Sequence, residues 1–284
     1  MRVPIMAGNW KMNCTNDEAC KLACGVKEQA GDISGVEVVL CPPATALTTV
    51  VNCVAGSGIE VGAQNVFWKD SGAYTGELSA PMILSTGAKW VIIGHSERRG
   101  RFGVAEEGMT EELLRVFGDT DASVNAKLKA ALHAGLKPIV CCGELLSERE
   151  AGQTDAIVSA QVRAMFAGVS ECPVERKQLA QTMVIAYEPV WAIGTGKVCD
   201  AEEADRVCGL VRNVVAEVLG TDAAQAMRIL YGGSVKPDNV DGLMAMPNID
   251  GGLVGGASLK ADSFVALIAS AKKSAGGGCC CCQQ

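Results

Sequence analysis

The chain is poor in the residues on which several classes of protein depend. It has only two histidines, His95 and His133, in 284 residues, no dense run of lysine and arginine, and a net charge of -7. An acidic chain without a basic run suits neither nucleic acid nor an anionic membrane surface, so neither is expected as a partner. Any anionic substrate must therefore be held by local groups.

Long apolar segments are also absent. No run of about 18 apolar residues occurs, and residues 1–8 contain one arginine and an apolar stretch too short for a signal peptide. We therefore expect a soluble, cytoplasmic protein with no membrane partner. Its length and its 49% hydrophobic content suit one large core and do not demand two domains.

The fourteen cysteines are many, but their spacing favours reduced thiols. Ten are scattered between Cys14 and Cys208, with no CxxC pair and no Cys/His cluster of zinc spacing. Disulfide frameworks suit small secreted domains, so these ten are expected to be mostly buried small hydrophobes. Cys142, at a strand end, could be reactive, although a packing role is favoured. The other four, Cys279–Cys282, belong to a Gly/Cys-rich tail, residues 275–284, for which disorder is expected.

Short apolar runs alternate with amphipathic stretches. Eight such runs are too continuous for exposed antiparallel ribbons and are typical of parallel strands buried on both faces. Their alternation with helices indicates a parallel α/β sheet with right-handed crossovers, either open or closed into a barrel. The predicted strands are Val3–Ala7, Val36–Leu40, Ile59–Val61, Lys89–Ile93, Lys137–Cys142, Met183–Ala186, Arg228–Tyr231 and Ile249–Val254, and the predicted helices are Asp17–Ala30, Ala44–Ala55, Ala80–Thr86, Ala122–Ala134, Thr154–Ala167, Ala201–Leu219, Pro237–Met244 and Ala261–Lys272.

The sequence AYEPVWAIGTG, Ala186–Gly196, is the most informative stretch. Glu188 follows an apolar run, Pro189 stops further strand pairing, and two glycines behind it permit a backbone swing or close approach to an anion. A lone glutamate in a loop is usually solvated. The flanking pattern instead favours a catalytic base beneath a mobile lid.

His95 also follows an apolar run. The next residues, Ser96–Arg99, can start a short helix whose N-terminal dipole disfavours a charged imidazole. A neutral histidine there can donate a hydrogen bond to a carbonyl. His133 lies near the end of a helical stretch and is expected to have no chemical role. Glu97 and Arg98 could form a structural ion pair.

Three corners consist of small residues that let backbone N–H groups approach an anion. They are Gly194, Gly233–Ser234 and Gly255–Gly256, each after a predicted strand. A single glycine corner is usually an ordinary turn, but three in such loops favour phosphate binding. Lys11, also beyond a strand end, could steer a dianion and stabilise a transition state, and Asn9 could add a hydrogen bond.

Eight segments in order resemble the triosephosphate isomerase family over Met1–Lys273. The resemblance implies a single-domain (β/α)₈ TIM barrel over residues 1–274, an aldose–ketose isomerase of glycolysis and gluconeogenesis, and no cofactor or metal. The matching segments are AGNWKMN (Ala7–Asn13), IIGHSERR (Ile92–Arg99), AYEPVWAIGTGK (Ala186–Lys197), YGGSV (Tyr231–Val235) and GLVGGASL (Gly252–Leu259), with weaker matches at GAQN (Gly62–Asn65), YTGELS (Tyr74–Ser79) and CCGE (Cys141–Glu144).

The resemblance also implies roles for individual residues. Glu188 would be the base in a proton transfer through an enediolate, with dihydroxyacetone phosphate and D-glyceraldehyde 3-phosphate as substrate and product; a carboxylate paired with neutral histidine is described for this family. The projecting loop at Thr75 implies a homodimer, in which Thr75 reaches the partner. The implied catalytic residues are Glu188, His95, Lys11 and Asn9, the implied substrate and phosphate ligands are Asn9, Lys11, Gly194, Ser234, Gly255 and Gly256, and the implied supporting residues are Ser96 and Glu97.

Two alternatives and one departure stay open. A metal-dependent phosphosugar epimerase would share the phosphate corners but needs convergent His/Asp ligands, and a barrel without activity could serve as a binding protein. The departure is an insertion of about residues 103–117 between two Phe-Gly pairs, Phe102–Gly103 and Phe117–Gly118. Its pattern suits a short amphipathic helix near the site.

Overall fold

A computed structural model describes residues 2–104, 107–169, 173–197 and 199–276. Eight parallel strands pair in chain order, and the last pairs with the first, so the sheet closes into the predicted (β/α)₈ barrel. Of the two arrangements that strand–helix alternation allows, an open sheet and a closed barrel, the chain forms the closed barrel. The strands are β1 (Ile5–Asn9), β2 (Glu37–Cys41), β3 (Glu60–Ala63), β4 (Trp90–Ile93), β5 (Lys137–Cys142), β6 (Val184–Tyr187), β7 (Arg228–Tyr231) and β8 (Gly251–Val254).

Helices cover the outside of the barrel. Each predicted helix is present in some form, and short additional helices α6, α8 and α10 fill the longer connections. The helices are α1 (Asn16–Ala30), α2 (Leu47–Val54), α3 (Ala80–Ser85), α4 (Glu111–Leu114), α5 (Asp121–Ala134), α6 (Leu146–Glu150), α7 (Thr154–Met165), α8 (Pro173–Thr182), α9 (Ala201–Leu219), α10 (Thr221–Ala226), α11 (Val240–Met244) and α12 (Ala261–Gly276).

Alternation along the strands divides the core into two layers. In β1, Ile5 and Ala7 point into the barrel, whereas Met6 packs outward against the helices. Residues of the other strands alternate in the same way, so the inside of the barrel is a small packed core and the larger core lies under the helices. Both strand faces are buried, which is why the strands read as continuous apolar runs.

The insertion forms less helix than its pattern predicts. Among the described residues of the insertion only α4 is helical. It is a single turn that the Thr110 side chain caps by accepting from the Leu113 N–H. Leu113 and Val116 are 56% and 71% exposed, so an apolar face does not pack on the barrel. The predicted short helix is thus present as one turn, which is too short to bury an apolar stripe.

The C-terminal helix also differs from the prediction at its end. It runs to Gly276, two residues into the predicted tail. Cys172 and Cys279–Cys282 lie outside the described residues. Within the described part of the chain, no helix is long and apolar enough to cross a membrane.

A buried ionic network fastens the N-terminal end of the barrel. Asp250, directly before β8, accepts hydrogen bonds from the Ile229 N–H at 2.9 Å, from Arg212 at 2.8 Å and from Arg2 at 2.6 Å. Arg212 is itself buried on α9, and desolvation lowers its pKa despite the attraction of Asp250. The Asp250 carboxylate therefore links β7, β8 and α9 at the N-terminal end of the barrel.

We predict that Asp250→Ala destabilises the fold by about 3–5 kcal/mol, because it leaves the Arg212 charge buried without its partner. Glu217→Ala, which breaks an exposed ion pair with Arg163, should cost less than about 1 kcal/mol. Denaturant unfolding of both variants at equal protein concentration measures the difference. Equal losses would show that burial of the network does not matter.

Candidate active site

The polar residues predicted to act together meet at the C-terminal rim of the barrel. Asn9 ends β1, Glu188 directly follows β6 and Gly255 directly follows β8, while His95 and Ser234 lie just beyond β4 and β7. Parallel strands place all these ends on one side of a closed sheet. A cavity of about 780 Å³ opens there, and its lining includes Asn9, Lys11, His95, Gly194, Ser234, Gly255 and Gly256.

The charges around this cavity are opposite in sign to the chain as a whole. Its lining contains Lys11, Lys236 and Lys260 against a single acidic residue, Asp238. The chain carries a net charge of -7. A locally positive cleft in an acidic protein favours an anionic ligand at that point and not over the whole surface.

Glu188 does not line the cavity but lies behind it, 2% exposed. Its Oε2 accepts a hydrogen bond from the Ser96 N–H at 3.0 Å, and its Oε1 lies 2.8 Å from His95 Nε2 without a well-aligned hydrogen bond to the described residues. Burial alone would raise the pKa of Glu188, but the attraction of His95, the Ser96 N–H and Lys11 outweigh it, so the pKa lies below its usual value. Glu188 is therefore an ionised carboxylate held by few bonds.

The backbone fixes the tautomer of His95. The short helical turn Ser96–Arg99 forms as predicted, with His95 as its N-cap, and the His95 Nδ1 accepts from the Glu97 N–H at 3.2 Å. A nitrogen that accepts carries no proton, so a neutral imidazole holds its proton on Nε2. That proton faces Glu188 and the cavity.

Lys11 is held in a strained position at the cavity wall. Its φ of 51° lies in the left-handed region, which costs a residue with a side chain on the order of 1–3 kcal/mol and is found mainly at functional sites. Its Nζ lies 2.6 Å from Glu97 Oε1, so the predicted pairing of Glu97 with Arg98 was wrong. Lys11 and Glu97 both line a smaller cavity beside the main one, which brings the ammonium group to the carboxylate. The Asn9 side chain accepts from the Lys11 N–H at 3.1 Å.

The three glycine corners converge on one side of the cavity. The backbone N–H groups of Gly194 and Ser234 donate no hydrogen bond to the described residues, which leaves them free for a ligand. Gly255 lies against the Lys11 side chain, and a Cβ there would be 3.5 Å from Lys11 Cε. The corner after β8 and the ammonium group of Lys11 can thus contact the same anion.

The segment Pro189–Lys197, called the lid below, is tied to β5 through Glu144. The buried Glu144 Oε1 accepts from Trp191 Nε1 at 2.8 Å and from the Tyr187 hydroxyl at 3.1 Å. Burial raises the pKa of Glu144 although these bonds oppose the shift. Next to it, a Cβ at Gly143 would lie 1.7 Å from the Glu188 carbonyl oxygen. Only glycine lets the loop after β5 approach the backbone of Glu188 so closely.

The insertion touches the other side of the lid. A Cβ at Gly103 would lie 2.4 Å from the Val190 carbonyl oxygen and 2.5 Å from that of Ile193. Phe102 and Phe117, from the two Phe-Gly pairs, meet edge to face with ring centroids 5.3 Å apart. The first pair therefore contacts the lid, whereas Asp121, after the second, pairs with Arg99 beside β4.

Several residues at this rim could not be identified from local sequence patterns. Glu144 belongs to the CCGE segment, but no local pattern identifies it as a hydrogen-bond partner of the lid. Lys236 and Lys260 cannot be distinguished from ordinary surface lysines in the sequence. Gln64 donates to the Lys11 and Cys41 carbonyl oxygens at 2.8 and 3.0 Å, two bonds that no local pattern predicts. Cys142 agrees with the packing interpretation, since it is buried and burial raises its pKa to about 12.

Fold and rim together define an anion-binding enzyme of the (β/α)₈ class. The model of the family described as triosephosphate isomerase matches residues 4–271. The chain is similar to proteins named triosephosphate isomerase from Moorella thermoacetica (51% identity), Chloroflexus aurantiacus (48%) and Rhodopirellula baltica (44%), each over 94% of this chain and 98%, 99% and 97% of the relative, respectively. The chain belongs to the triosephosphate isomerase family.

Proposed function

We infer that the chain interconverts dihydroxyacetone phosphate and D-glyceraldehyde 3-phosphate, and we propose that Glu188 carries the proton between their adjacent carbons. The observation that supports this role most strongly is an ionised, buried carboxylate with one oxygen free of aligned hydrogen bonds, next to a histidine whose Nε2 bears a proton. The first group suits a base, and the second suits an electrophile.

In the proposed reaction Glu188 removes the proton alpha to the carbonyl. Its carboxylate must first leave the Ser96 N–H and turn into the cavity, since it does not line the cavity in this structure. This movement breaks one hydrogen bond, from the Ser96 N–H, and one close contact, with His95 Nε2. Glu188 then returns the proton to the neighbouring carbon, which completes the aldose–ketose exchange.

The oxygen of the enediolate intermediate is stabilised from the opposite wall. His95 donates from Nε2, and Lys11 contributes a positive charge, with Asn9 adding a hydrogen bond. Glu97 keeps the Lys11 ammonium group at the rim. Ser96 supports Glu188 between reactions through its backbone N–H.

The phosphate is gripped separately from the reacting carbons. The backbone N–H groups of Gly194, Ser234, Gly255 and Gly256 would surround it, in the arrangement that is typical after the last strands of such barrels. Lys236 and Lys260 add positive charge to the same cavity. Closure of the lid over the phosphate excludes water, which protects the enediolate from loss of phosphate by elimination.

The two alternatives explain the rim less well. A metal-dependent epimerase needs several ligand atoms within bonding reach of one ion, and among the described residues the only such group of His, Cys, Asp or Glu lies on two outer helices. A barrel without activity would not need a strained Lys11 or a buried ionised Glu188. A cytoplasmic location remains a prediction of the sequence.

Glu188→Gln should lower turnover by about 10²- to 10⁴-fold or more, because it keeps the shape but removes the base. The matched control is Glu60→Gln, which alters a partly buried carboxylate at the start of β3, at the opposite end of the barrel. Its turnover should stay within about threefold of the parent value. Coupled isomerase assays measure both, and inhibition by a phosphorylated enediolate mimic reports phosphate binding. A Glu188 variant as active as the control would refute the base assignment.

Gly103→Ala should impair the lid, because the added methyl group collides with two lid carbonyl oxygens. Misplacement of the lid by about 1 Å can cost up to ~10²-fold in kcat/KM. Gly118→Ala adds the same group in the second Phe-Gly pair, where the nearest atom is 4.0 Å away, and should be nearly neutral. Steady-state kinetics with melting curves of both variants make the comparison. Equal kinetics in two folded variants would show that the insertion does not act on the lid.

A homodimer is proposed from the loop that presents Thr75. Phe67 stacks on Trp68 and packs at a tilt against Tyr74, with ring centroids 4.5 Å apart, and Thr75 is exposed at the tip of the loop. A second cavity of about 280 Å³ lies beside the site and is large enough to receive such a tip. Its lining includes Lys11, Met12, Gln64 and Glu97. Met12 is 96% exposed at its mouth, which favours a covering partner. In the dimer, each Thr75 would support the partner's Lys11.

Thr75→Arg should break the dimer and lower activity, because a long cation cannot enter a cavity already occupied by Lys11. Thr182→Arg, at the exposed end of α8 and the opposite end of the barrel, is the control and should keep both properties. Light scattering across a dilution series, with activity measured at each point, tests this. A fully active monomer at all concentrations would contradict the proposal.

A further inference from the structure

Three cysteines that the sequence separates lie together on the outside of the barrel. Cys20 and Cys24 are on α1, one turn apart, and Cys53 is on α2. Their three sulfur atoms lie within 4.8 Å of one another, and Cys53 Sγ is 3.0 Å from Cys20 Sγ. The spacing of these cysteines along the chain does not reveal the group, because it does not show that α1 and α2 pack side by side.

The two helices hold this group in a fixed frame. At one end Thr49 donates to the Asn16 side chain at 3.2 Å, and at the other Lys27 donates to the Ala55 and Cys53 carbonyl oxygens at 2.9 and 3.3 Å. All three cysteines are partly buried, so solvent reaches them without unfolding. The proposed isomerisation uses none of them.

We propose that Cys20, Cys24 and Cys53 form a binding site for one thiophilic metal ion, with Cu(I) as the best-suited ion. Three sulfurs bound at about 2.3 Å to one ion would stand roughly 4 Å apart, which small side-chain rotations achieve from the observed separations. No histidine or carboxylate joins the group among the described residues. A ligand set of thiolates alone selects soft ions, and structural zinc normally takes four ligands where this site offers three.

The binding step exchanges protons and moves no electrons. Thiols are largely protonated at neutral pH before metal binds. Cu(I) replaces thiol protons, which pass to solvent, as three sulfur–metal bonds form. The bound ion then links α1 to α2 and stabilises the folded chain.

The test uses the full-length chain with Cys279–Cys282 replaced by serine, so that tail thiols do not bind the metal. Under anaerobic reducing conditions, competition with a chromophoric Cu(I) chelator should show one tightly held ion per chain. Cys20→Ser, Cys24→Ser and Cys53→Ser should each weaken binding by roughly 100-fold or more, as removal of a ligand does. Cys14→Ser, which alters another partly buried thiol outside the group, should bind within about threefold of the parent.

Melting curves provide a second readout that does not depend on activity. Cu(I) at about 100 times its dissociation constant should raise Tm by roughly 5–10 °C in the parent and in Cys14→Ser, but not in Cys53→Ser. Binding that is unchanged in the three cysteine variants would overturn the proposal. So would a reduced parent that binds no Cu(I), including one whose Cys20 and Cys53 are locked in a disulfide that resists reductant.

Discussion

The contact between Glu188 and the Ser96–His95 corner is the interaction on which the rest of the site depends. A buried carboxylate must be neutralised or paired, and here a backbone N–H and a protonated imidazole nitrogen stabilise it. Both partners come from the end of β4, while Glu188 follows β6, so a well-formed closed barrel is needed to bring them within 3.0 Å. In this structure the same contact holds the carboxylate away from the cavity.

The proposed mechanism couples the movement of that carboxylate to the lid, because Glu188 and the lid belong to one stretch of chain. Glu188 precedes the lid directly, and Trp191 of the lid is bound to Glu144 and stacked beneath the Arg149 guanidinium, 4.4 Å from the ring centroid. Gly143 lets these elements approach one another. In the proposed mechanism the lid closes over the phosphate and Glu188 rotates into the cavity in one conformational change. The segment at Gly103 contacts the lid at Val190 and Ile193.

Much of this could be predicted from the sequence because the evidence was local. Continuous apolar runs marked β1 to β8, and glycine corners at their ends marked Gly194, Ser234 and Gly255. What depended on packing between distant segments could not be read in the same way. Glu144 and the Cys20, Cys24 and Cys53 group became visible only when helices and loops were placed side by side, and the pairing of Glu97 with Lys11 was missed because a neighbouring arginine looked equally suitable.

The central claim is that Glu188 leaves its resting contact to act on the substrate, and a crystal structure with a bound phosphorylated enediolate mimic tests it most directly. The account predicts that the Glu188 carboxylate departs from the Ser96 N–H, now 3.0 Å away, and lies against the mimic's carbon–oxygen frame, with His95 Nε2 on its oxygen and the lid closed on its phosphate. A closed complex in which Glu188 still accepts from Ser96 and does not touch the mimic would contradict the account.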